Sequence, residues 1–434
     1  MEALVLFGSF FVLLLLMVPI GYAIGIATLI AIVVAGDGTI PLLMITQKAI
    51  TGVDSFPLMA IPFFMLAGNL MSGGGIAKRL INFFDSFMGL ITGGLSMVTT
   101  VTCMFFAAIS GSAVATTSAV GSFMVPEMRK RGYDDGFSAS IAAAAGTIGV
   151  IIPPSVPFVI YGVATGTSIT DLFKAGIIPG LGMGAALMIA CYFLCKKHGF
   201  QVSKKGERKL DLRHVWLSFK DAFWAILSPV IILGGIYSGY FTPTEAAVVA
   251  ALYTMILGFF VYKELTLKSF FKICLDSIKT SGTIVLMILG VTLFQFVISR
   301  EQMPQTIATF FVSNVNSKLM LLLMINIVLL LLGTCIDALP LQMILVPILL
   351  PAVMAYGVNP IQFGVVVIFN LMIGILTPPM GTALFVVSRV GNIQFKTLVK
   401  GVLPFLIPLI ITLILLNVFP QITLFLPTLL TGGV

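Results

Sequence analysis

A chain of 434 residues that is 59% hydrophobic and only 9% charged, with a mean hydropathy of +1.14, cannot hide its apolar surface in a water-soluble fold and reads as an all-α polytopic membrane protein. The net charge of +8 is unevenly placed: eight of the 24 Lys and Arg fall between Lys196 and Asp221, which fits a cytoplasmic loop facing anionic lipid and gives no reason to expect a nucleic-acid partner. The two histidines, His198 and His214, lie in that same stretch, which leaves no intramembrane histidine for zinc chemistry or general-base work; Cys191 and Cys195 share a helix face but lack further ligands at metal spacing, and no Gly-x-x-x-x-Gly-Lys-Ser/Thr string, hence no P-loop, is present.

Ala3 to Met17 follows Glu2 rather than a basic cluster and is not followed by a small-residue cleavage site, so it is expected to be a membrane segment and not a removable signal peptide. With Gly21 to Ala35 it forms two spans joined at Val18-Pro19-Ile20, followed by a loop with Asp37, Lys48 and Asp54. A third span, Pro57 to Met71, is closed by Ser72-Gly73-Gly74-Gly75. Ile76 to Ile91 then sets Lys78, Arg79 and Asp85 among Leu80, Phe83, Phe84 and Phe87, the pattern of an amphipathic helix in the interface.

Leu95 to Met124 is too long and too interrupted for one span, and Ser110-Gly111-Ser112 with Thr116 lies at its centre. Small hydroxyl residues can mark close helix packing. The reading preferred here is a re-entrant hairpin over about 95–125 with its tip at Ser110 to Ser112. A broken helix over about 137–162 and a span from Leu172 to Cys195 complete a first repeat, 1–195. A basic cytoplasmic linker, 196–221, leads to a second repeat, 222–434. Its spans are Phe223 to Gly239, Thr244 to Tyr262 and Thr280 to Ser299, followed by a connector from Arg300 to Lys318. A hairpin over about 319–354 with its tip at Gly333 to Asp337, a broken helix over about 363–387 and a last span, Leu398 to Phe419, finish the chain.

The breaks define the organisation. Gly149-Val150-Ile151-Ile152-Pro153-Pro154 returns as Gly374-Ile375-Leu376-Thr377-Pro378-Pro379, 225 residues later. The same offset superposes eight identical Gly or Pro pairs without a gap between residues 126 and 179 and their equivalents, the mark of a tandem duplication. Proline removes an amide donor and blocks the helix behind it. Within a bilayer such a break survives only where protein or a cavity satisfies the freed backbone, and in secondary transporters that cavity holds solute and coupling ion.

Five crossings and one hairpin per repeat make the second repeat inverted relative to the first. Charge agrees: Arg129, Lys130 and Arg131 have the uncharged equivalents Met354, Ala355 and Tyr356, whereas the basic residues of the second repeat lie at Lys263, Lys268, Lys272, Arg389, Lys396 and Lys400. Both termini then come out periplasmic and the two tips approach each other near the midplane.

Free carbonyls at a half-helix end suit Na+, and free amides at the next start suit a carboxylate. The candidate Na+ ligands, in at least two sites, are Ser110, Ser112, Thr116, Gly149, Ile152 and Pro153 in the first repeat and Gly333, Asp337, Gly374, Thr377 and Pro378 in the second. Pro154, Ser155, Pro379, Gly381 and Thr382, where the chain restarts, are the candidate substrate positions. Asp337 is the one acid placed at a tip; a cation or proton is its natural partner, and a capping role is the alternative. Glu245 in Pro243-Thr244-Glu245 is expected to cap a helix start.

Several strings together give the chain a resemblance. Ala60-Ile61-Pro62-Phe63-Phe64, Ser110-Gly111-Ser112-Ala113, Gly149 to Ser155, Phe241-Thr242-Pro243-Thr244-Glu245-Ala246-Ala247 and Thr377-Pro378-Pro379-Met380-Gly381 resemble the large membrane (M) subunit of tripartite ATP-independent periplasmic (TRAP) transporters over essentially the whole length. The resemblance implies a sodium-driven importer of organic acids in the bacterial inner membrane. A periplasmic substrate-binding (P) protein would deliver the solute, a small membrane (Q) subunit would brace the scaffold, and the hairpins with the broken helices would move as an elevator. Because no four-helix unit precedes Ala3, the small subunit is expected to be separate. Sialic acid and C4-dicarboxylates are the candidate substrates, with sialic acid favoured by Asp54-Ser55-Phe56-Pro57 and Gly132-Tyr133-Asp134-Asp135. Two other readings are a stand-alone divalent-anion/Na+ symporter and an intramembrane enzyme using Asp337. The Ser110-Gly111-Ser112 and Gly333-Thr334-Cys335 tips depart from the Ser-Asn-Thr pattern of the former, and the latter lacks a second acid at matching depth.

Overall fold

A computed structural model describes residues 2–35, 41–200 and 211–431. Among these residues every regular element is helical. Seven helices are long and apolar enough to cross a membrane, the longest being Leu267–Arg300 with 34 residues and Ile169–His198 with 30. An eighth candidate is the pair Asp135–Ile151 and Val156–Thr165, bent by 40°. Shorter apolar helices, among them Glu2–Leu15, Gly94–Ser110, Lys318–Gly333 and Pro360–Gly374, complete a multi-pass architecture. Leu15, Met17, Phe193 and Phe260 are among many large apolar side chains left on its outside, the composition expected of a surface that faces lipid.

Helix bounds return at the offset found in the sequence. Ala113–Lys130 matches Ala338–Ala355 residue for residue, and Ile76–Met88 falls two residues from the matching frame of Met303–Asn314 at its start. Packing is reciprocal as well: Ala60–Gly73 lies on Pro243–Ile256, and Leu267–Arg300 lies on Ile20–Ile30. Glycine makes the second of these crossings close. A Cβ on Gly290 would stand 3.0 Å from the Gly21 carbonyl oxygen and 3.1 Å from the Gly25 amide nitrogen, so backbone touches backbone where Gly21 and Gly25 line one face.

Four segments differ from the sequence reading. The stretch assigned to a loop holds a helix, Leu42–Val53, because Ile45 and Ala49, one turn apart, are buried against Leu267–Arg300; Asp37 lies outside the described residues. The connector Arg300 to Lys318 contains Met303–Asn314, anchored where the Tyr356 hydroxyl donates to the carbonyls of Phe311 and Val315 at 2.8 and 2.6 Å. The basic linker is shorter than 196–221. Ile169–His198 runs through Lys196 and Lys197, and Leu212–Tyr237 starts behind Asp211, whose carboxylate accepts from the Arg213 and His214 amides. Finally, the span Phe395–Val418 is followed by another helix, Gln421–Thr431, which packs along Ile169–His198.

The amphipathic helix Ile76–Met88 ties two regions together. Arg79 reaches Asp221 at 3.2 Å and Glu264 at 2.6 Å while stacking over the Tyr262 ring at 4.0 Å. Two turns on, Asp85 takes a bidentate pair from Arg131, at 3.0 and 2.7 Å, where the second arm of the first hairpin ends. The carboxylate holds the Arg131 guanidinium above its ordinary pKa. Glu245 makes the expected capping box: its carboxylate accepts from the Thr242 amide at 2.8 Å, and Thr242 Oγ1 accepts from the Glu245 amide at 3.3 Å.

Replacing Gly290 by Ala should overpack the crossing with Ile20–Ile30, where only backbone could give way, and cost about 1–3 kcal/mol. Gly182 has open space around its Cα, so Gly182→Ala is the matched control. Thermal unfolding of the purified variants checks this, with a lower Tm expected for Gly290→Ala alone.

Candidate functional site

The first tip is a tight reversal. Gly94–Ser110 ends at Gly111, whose φ of 60 suits glycine, and Ser112 in extended geometry caps Ala113–Lys130, its Oγ accepting from the Ala115 amide at 3.3 Å. Thr116, one turn in, turns back: its Oγ1 donates to the Ser112 carbonyl at 2.8 Å and lies 2.9 Å from Ser110 Oγ. Oxygens of Ser110, Ser112 and Thr116 thus converge, and Ser110 and Thr116 are fully buried.

The break comes to meet them. Ile148–Ile151 ends at Ile152, the Pro153-Pro154 bond is cis, and Ser155 caps Val156–Thr165 by accepting from the Phe158 amide. The Val156 amide donates across to the Gly111 carbonyl at 3.2 Å. A Cβ on Gly149 would collide with Thr116 Oγ1 and lie 2.9 Å from the Ser112 carbonyl oxygen, so only glycine lets break and tip touch here. Gly68 closes the other side, 2.8 Å from the Ser110 Cβ by the same measure. Residues 151–160 are buried throughout.

The second tip has the same plan with different chemistry. Lys318–Gly333 ends at Thr334, and Asp337 precedes Ala338–Ala355. Across the junction the Met380 amide donates to the Thr334 carbonyl at 3.1 Å, and the Thr382 hydroxyl donates to Asp337 Oδ1 at 3.3 Å. Gly374 meets Gly333 so closely that a Cβ on Gly374 would stand 3.0 Å from the Gly333 Cα. Pro378-Pro379 is also cis, and Gly381, at φ 49, precedes Thr382–Gly391. Unlike its counterpart, this junction is open: Pro379, Met380 and Cys335 are exposed.

The structure therefore brings together Ser110, Ser112, Thr116 and Gly149, with Ile152, Pro153, Pro154 and Ser155 in the adjoining break. In the second half it unites Gly333 with Gly374 and Asp337 with Thr382, while Pro378, Pro379 and Gly381 form the turn between them. The Thr377 hydroxyl donates to the Ile373 carbonyl of the preceding helix at 2.8 Å, as Thr116 does to Ser112, which leaves its oxygen lone pairs free. Asp337 makes no side-chain cap bond to the helix it precedes; its carboxylate faces Thr382 instead. Among the described residues no group of three His, Cys, Asp or Glu could hold a metal. The donors at the first tip are neutral hydroxyl and carbonyl oxygens and the second adds one carboxylate, a set that fits a monovalent hard cation.

The sequence reading passed over three amides below the second tip, Asn326 and Asn370 buried and Asn417 half-buried. Asn326 Nδ2 donates to Asn417 Oδ1 at 2.9 Å, and Asn370 Nδ2 donates to Asn326 Oδ1 at 2.7 Å, linking the first hairpin arm, the broken helix and the last span. Single asparagines inside apolar runs were the available signal.

These features define a multi-pass helical membrane protein built on two junctions between a hairpin tip and a broken helix. Comparison with known proteins narrows the class. The family model described as "Tripartite ATP-independent periplasmic transporter, DctM component" matches residues 7–422, and the chain belongs to that family as a large permease subunit. Over 414 residues, 95% of this chain and 96% of the relative, it is 47% identical to the sialic acid TRAP transporter large permease protein SiaM of Vibrio cholerae. It is 46% identical to the isethionate TRAP transporter permease protein DctMQ of Oleidesulfovibrio alaskensis, spanning 97% of this chain and 66% of that one. The crystal structure of the Alcanivorax borkumensis YdaH transporter matches with a TM-score of 0.66 over 90% of each chain at 13% identity, a likeness of fold alone.

Gly149→Ala and Gly374→Ala should each push a tip off its break. Gly149→Ala meets a fixed carbonyl and a buried hydroxyl, and Gly374→Ala meets backbone only. Solute uptake by either variant should fall at least about tenfold, the equivalent of about 1.4 kcal/mol. Uptake in proteoliposomes normalised to inserted protein checks this; wild-type rates for both would show that the junctions have room to spare.

Proposed function

We propose that this chain is the permease subunit of a Na+-coupled secondary importer of organic acids, working by an elevator motion of the two hairpins and broken helices. The observation that carries the reading is the paired tip-and-break junction, one lined by hydroxyl and carbonyl oxygens and the other holding Asp337 against Thr382. Oxygens at half-helix ends favour a cation, and amides at half-helix starts favour a carboxylate. Pro379, Gly381 and Thr382, at the exposed junction, are the proposed substrate positions in the second half, with Pro154 and Ser155 their counterparts in the first. Bound Na+ would neutralise Asp337 and make an organic anion beside it tolerable.

The two halves are proposed to be inverted repeats in a bacterial inner membrane, with both termini periplasmic. Support comes from charge: the end of the first hairpin carries Arg129, Lys130 and Arg131, and the equivalent Met354, Ala355 and Tyr356 are uncharged. The proposed partners are a small membrane (Q) subunit and a periplasmic binding (P) protein. Relatives named for sialic acid and isethionate are nearly equally similar, so the organic-acid class is better supported than any one member. Sialic acid is proposed first and C4-dicarboxylates second.

Uptake of sialic acid in proteoliposomes containing the chain, a small subunit and a loaded binding protein should require an inward Na+ gradient. Asp337→Asn should abolish it while leaving insertion intact. Equal uptake with K+ in place of Na+, or an Asp337→Asn variant with unchanged Na+ dependence, would remove the coupling role.

Topology is read separately. Cysteines placed at the equivalent positions Lys130 and Ala355, both exposed, should react with an impermeant reagent from opposite sides of the membrane. Labelling from one side would eliminate the inverted arrangement.

A further inference from the structure

Below the second tip three asparagines form a directed chain of amides. Asn417 Nδ2 donates to the Leu413 carbonyl of its own helix at 2.7 Å, leaving its Oδ1 to accept from Asn326 Nδ2 at 2.9 Å. Asn326 Oδ1 then accepts from Asn370 Nδ2 at 2.7 Å, and the same nitrogen lies 3.0 Å from the Asn326 backbone carbonyl oxygen. Asn370 is fully buried and Asn326 nearly so. At the equivalent places in the first half stand Ala145, Val101 and Tyr192, so the chain is peculiar to the second half.

Amides in an apolar membrane interior carry a desolvation cost, and Asn370 Oδ1 has no hydrogen-bond donor among the described residues. Apolar side chains would pack there without that cost, so directional bonding is what the amides add. Asn326 precedes Gly333 by two turns and Asn370 precedes Gly374 by one, on the two helices whose ends meet at the tip. Two glycines in contact have no side chains to interlock, and van der Waals contact alone lets one helix slide along the other. At the first tip the Thr116 side chain itself stands against Gly149, so that contact has a side chain to hold it. We propose that the Asn417–Asn326–Asn370 chain is the positioning element of the second tip, fixing the register that sets Gly333 on Gly374 and thereby Asp337 beside Thr382. Its consequence for cation affinity rests on the Na+-coupled reading above; the register itself does not.

Register can be measured directly. Thr334 and Met380 are joined across the tip by a backbone bond, so native Cys335 and a Met380→Cys substitution form a cross-linking pair in the full chain. Cys103, Cys191 and Cys195 are buried, and Cys274→Ser removes the remaining partly exposed thiol. Oxidative cross-linking should be at least about threefold slower in Asn370→Leu and in Asn326→Leu, and no slower again in the double variant, because either change opens the same chain. Gln362→Leu is the control, a buried amide on the same helix that bonds the Leu416 carbonyl and lies outside the chain. In the same variants the Na+ concentration for half-maximal uptake should rise about three- to tenfold with the maximal rate largely kept. Unchanged cross-linking in folded Asn370→Leu and Asn326→Leu, or an equal slowing by Gln362→Leu, overturns the proposal. Slowed cross-linking with no Na+ dependence in the wild type would keep the positioning role and remove the coupling reading.

Discussion

Everything in this molecule follows from the need to satisfy backbone polar groups where water is absent. The two Gly…Pro-Pro interruptions free amides and carbonyls in the middle of apolar helices, and each is answered by the hairpin tip of its own half. The Val156 amide finds the Gly111 carbonyl, and the Met380 amide finds the Thr334 carbonyl. An unmet backbone group of this kind costs several kcal/mol in hydrocarbon, so tip and break cannot be separated without exposing them to something else that bonds. That dependence is the reason the ion and solute sites are proposed at the junctions.

Glycine makes the approach possible. Gly149 against Thr116, Gly374 against Gly333 and Gly68 against Ser110 are contacts that one methyl group would spoil. Such contacts are tight but featureless, so the polar groups around them decide where the chain comes to rest. In the first half these are serine and threonine at the tip itself. In the second half they are Asp337 with Thr382, together with the asparagine chain below. The two junctions thus share geometry but not chemistry: the first is sealed and lined by hydroxyls, whereas the second is partly open and holds the Asp337 carboxyl group.

The connecting helix Ile76–Met88 relates the first hairpin to the rest. Its Arg79 is held by Asp221, Glu264 and the Tyr262 ring, and its Asp85 holds Arg131 at the base of the hairpin. Charged hydrogen bonds at both ends of one short helix thus tie the base of the hairpin to the segments around Asp221 and Glu264. The counterpart helix, Met303–Asn314, has no such charged pairs in its described contacts and is held by the Tyr356 hydroxyl.

Hydropathy, the eight Gly and Pro pairs and the proline breaks were enough to read from the sequence that the chain is polytopic, that its halves share one plan, and that the hairpin tips fall at Ser110 to Ser112 and Gly333 to Asp337. These properties are local or periodic, and a proline or a left-handed glycine acts on its own backbone wherever it sits. The helices Leu42–Val53, Met303–Asn314 and Gln421–Thr431 were not legible, because each is short and is helical through the neighbour it packs on. Which oxygen faces which was equally hidden. Thr377 turns to the preceding helix while Thr382 turns to Asp337, and three asparagines 44 and 47 residues apart in the chain become one bonded line. Only the tertiary structure decides such pairings, because a hydrogen bond depends on distances of a few tenths of an ångström between segments whose separation along the chain carries no information about them.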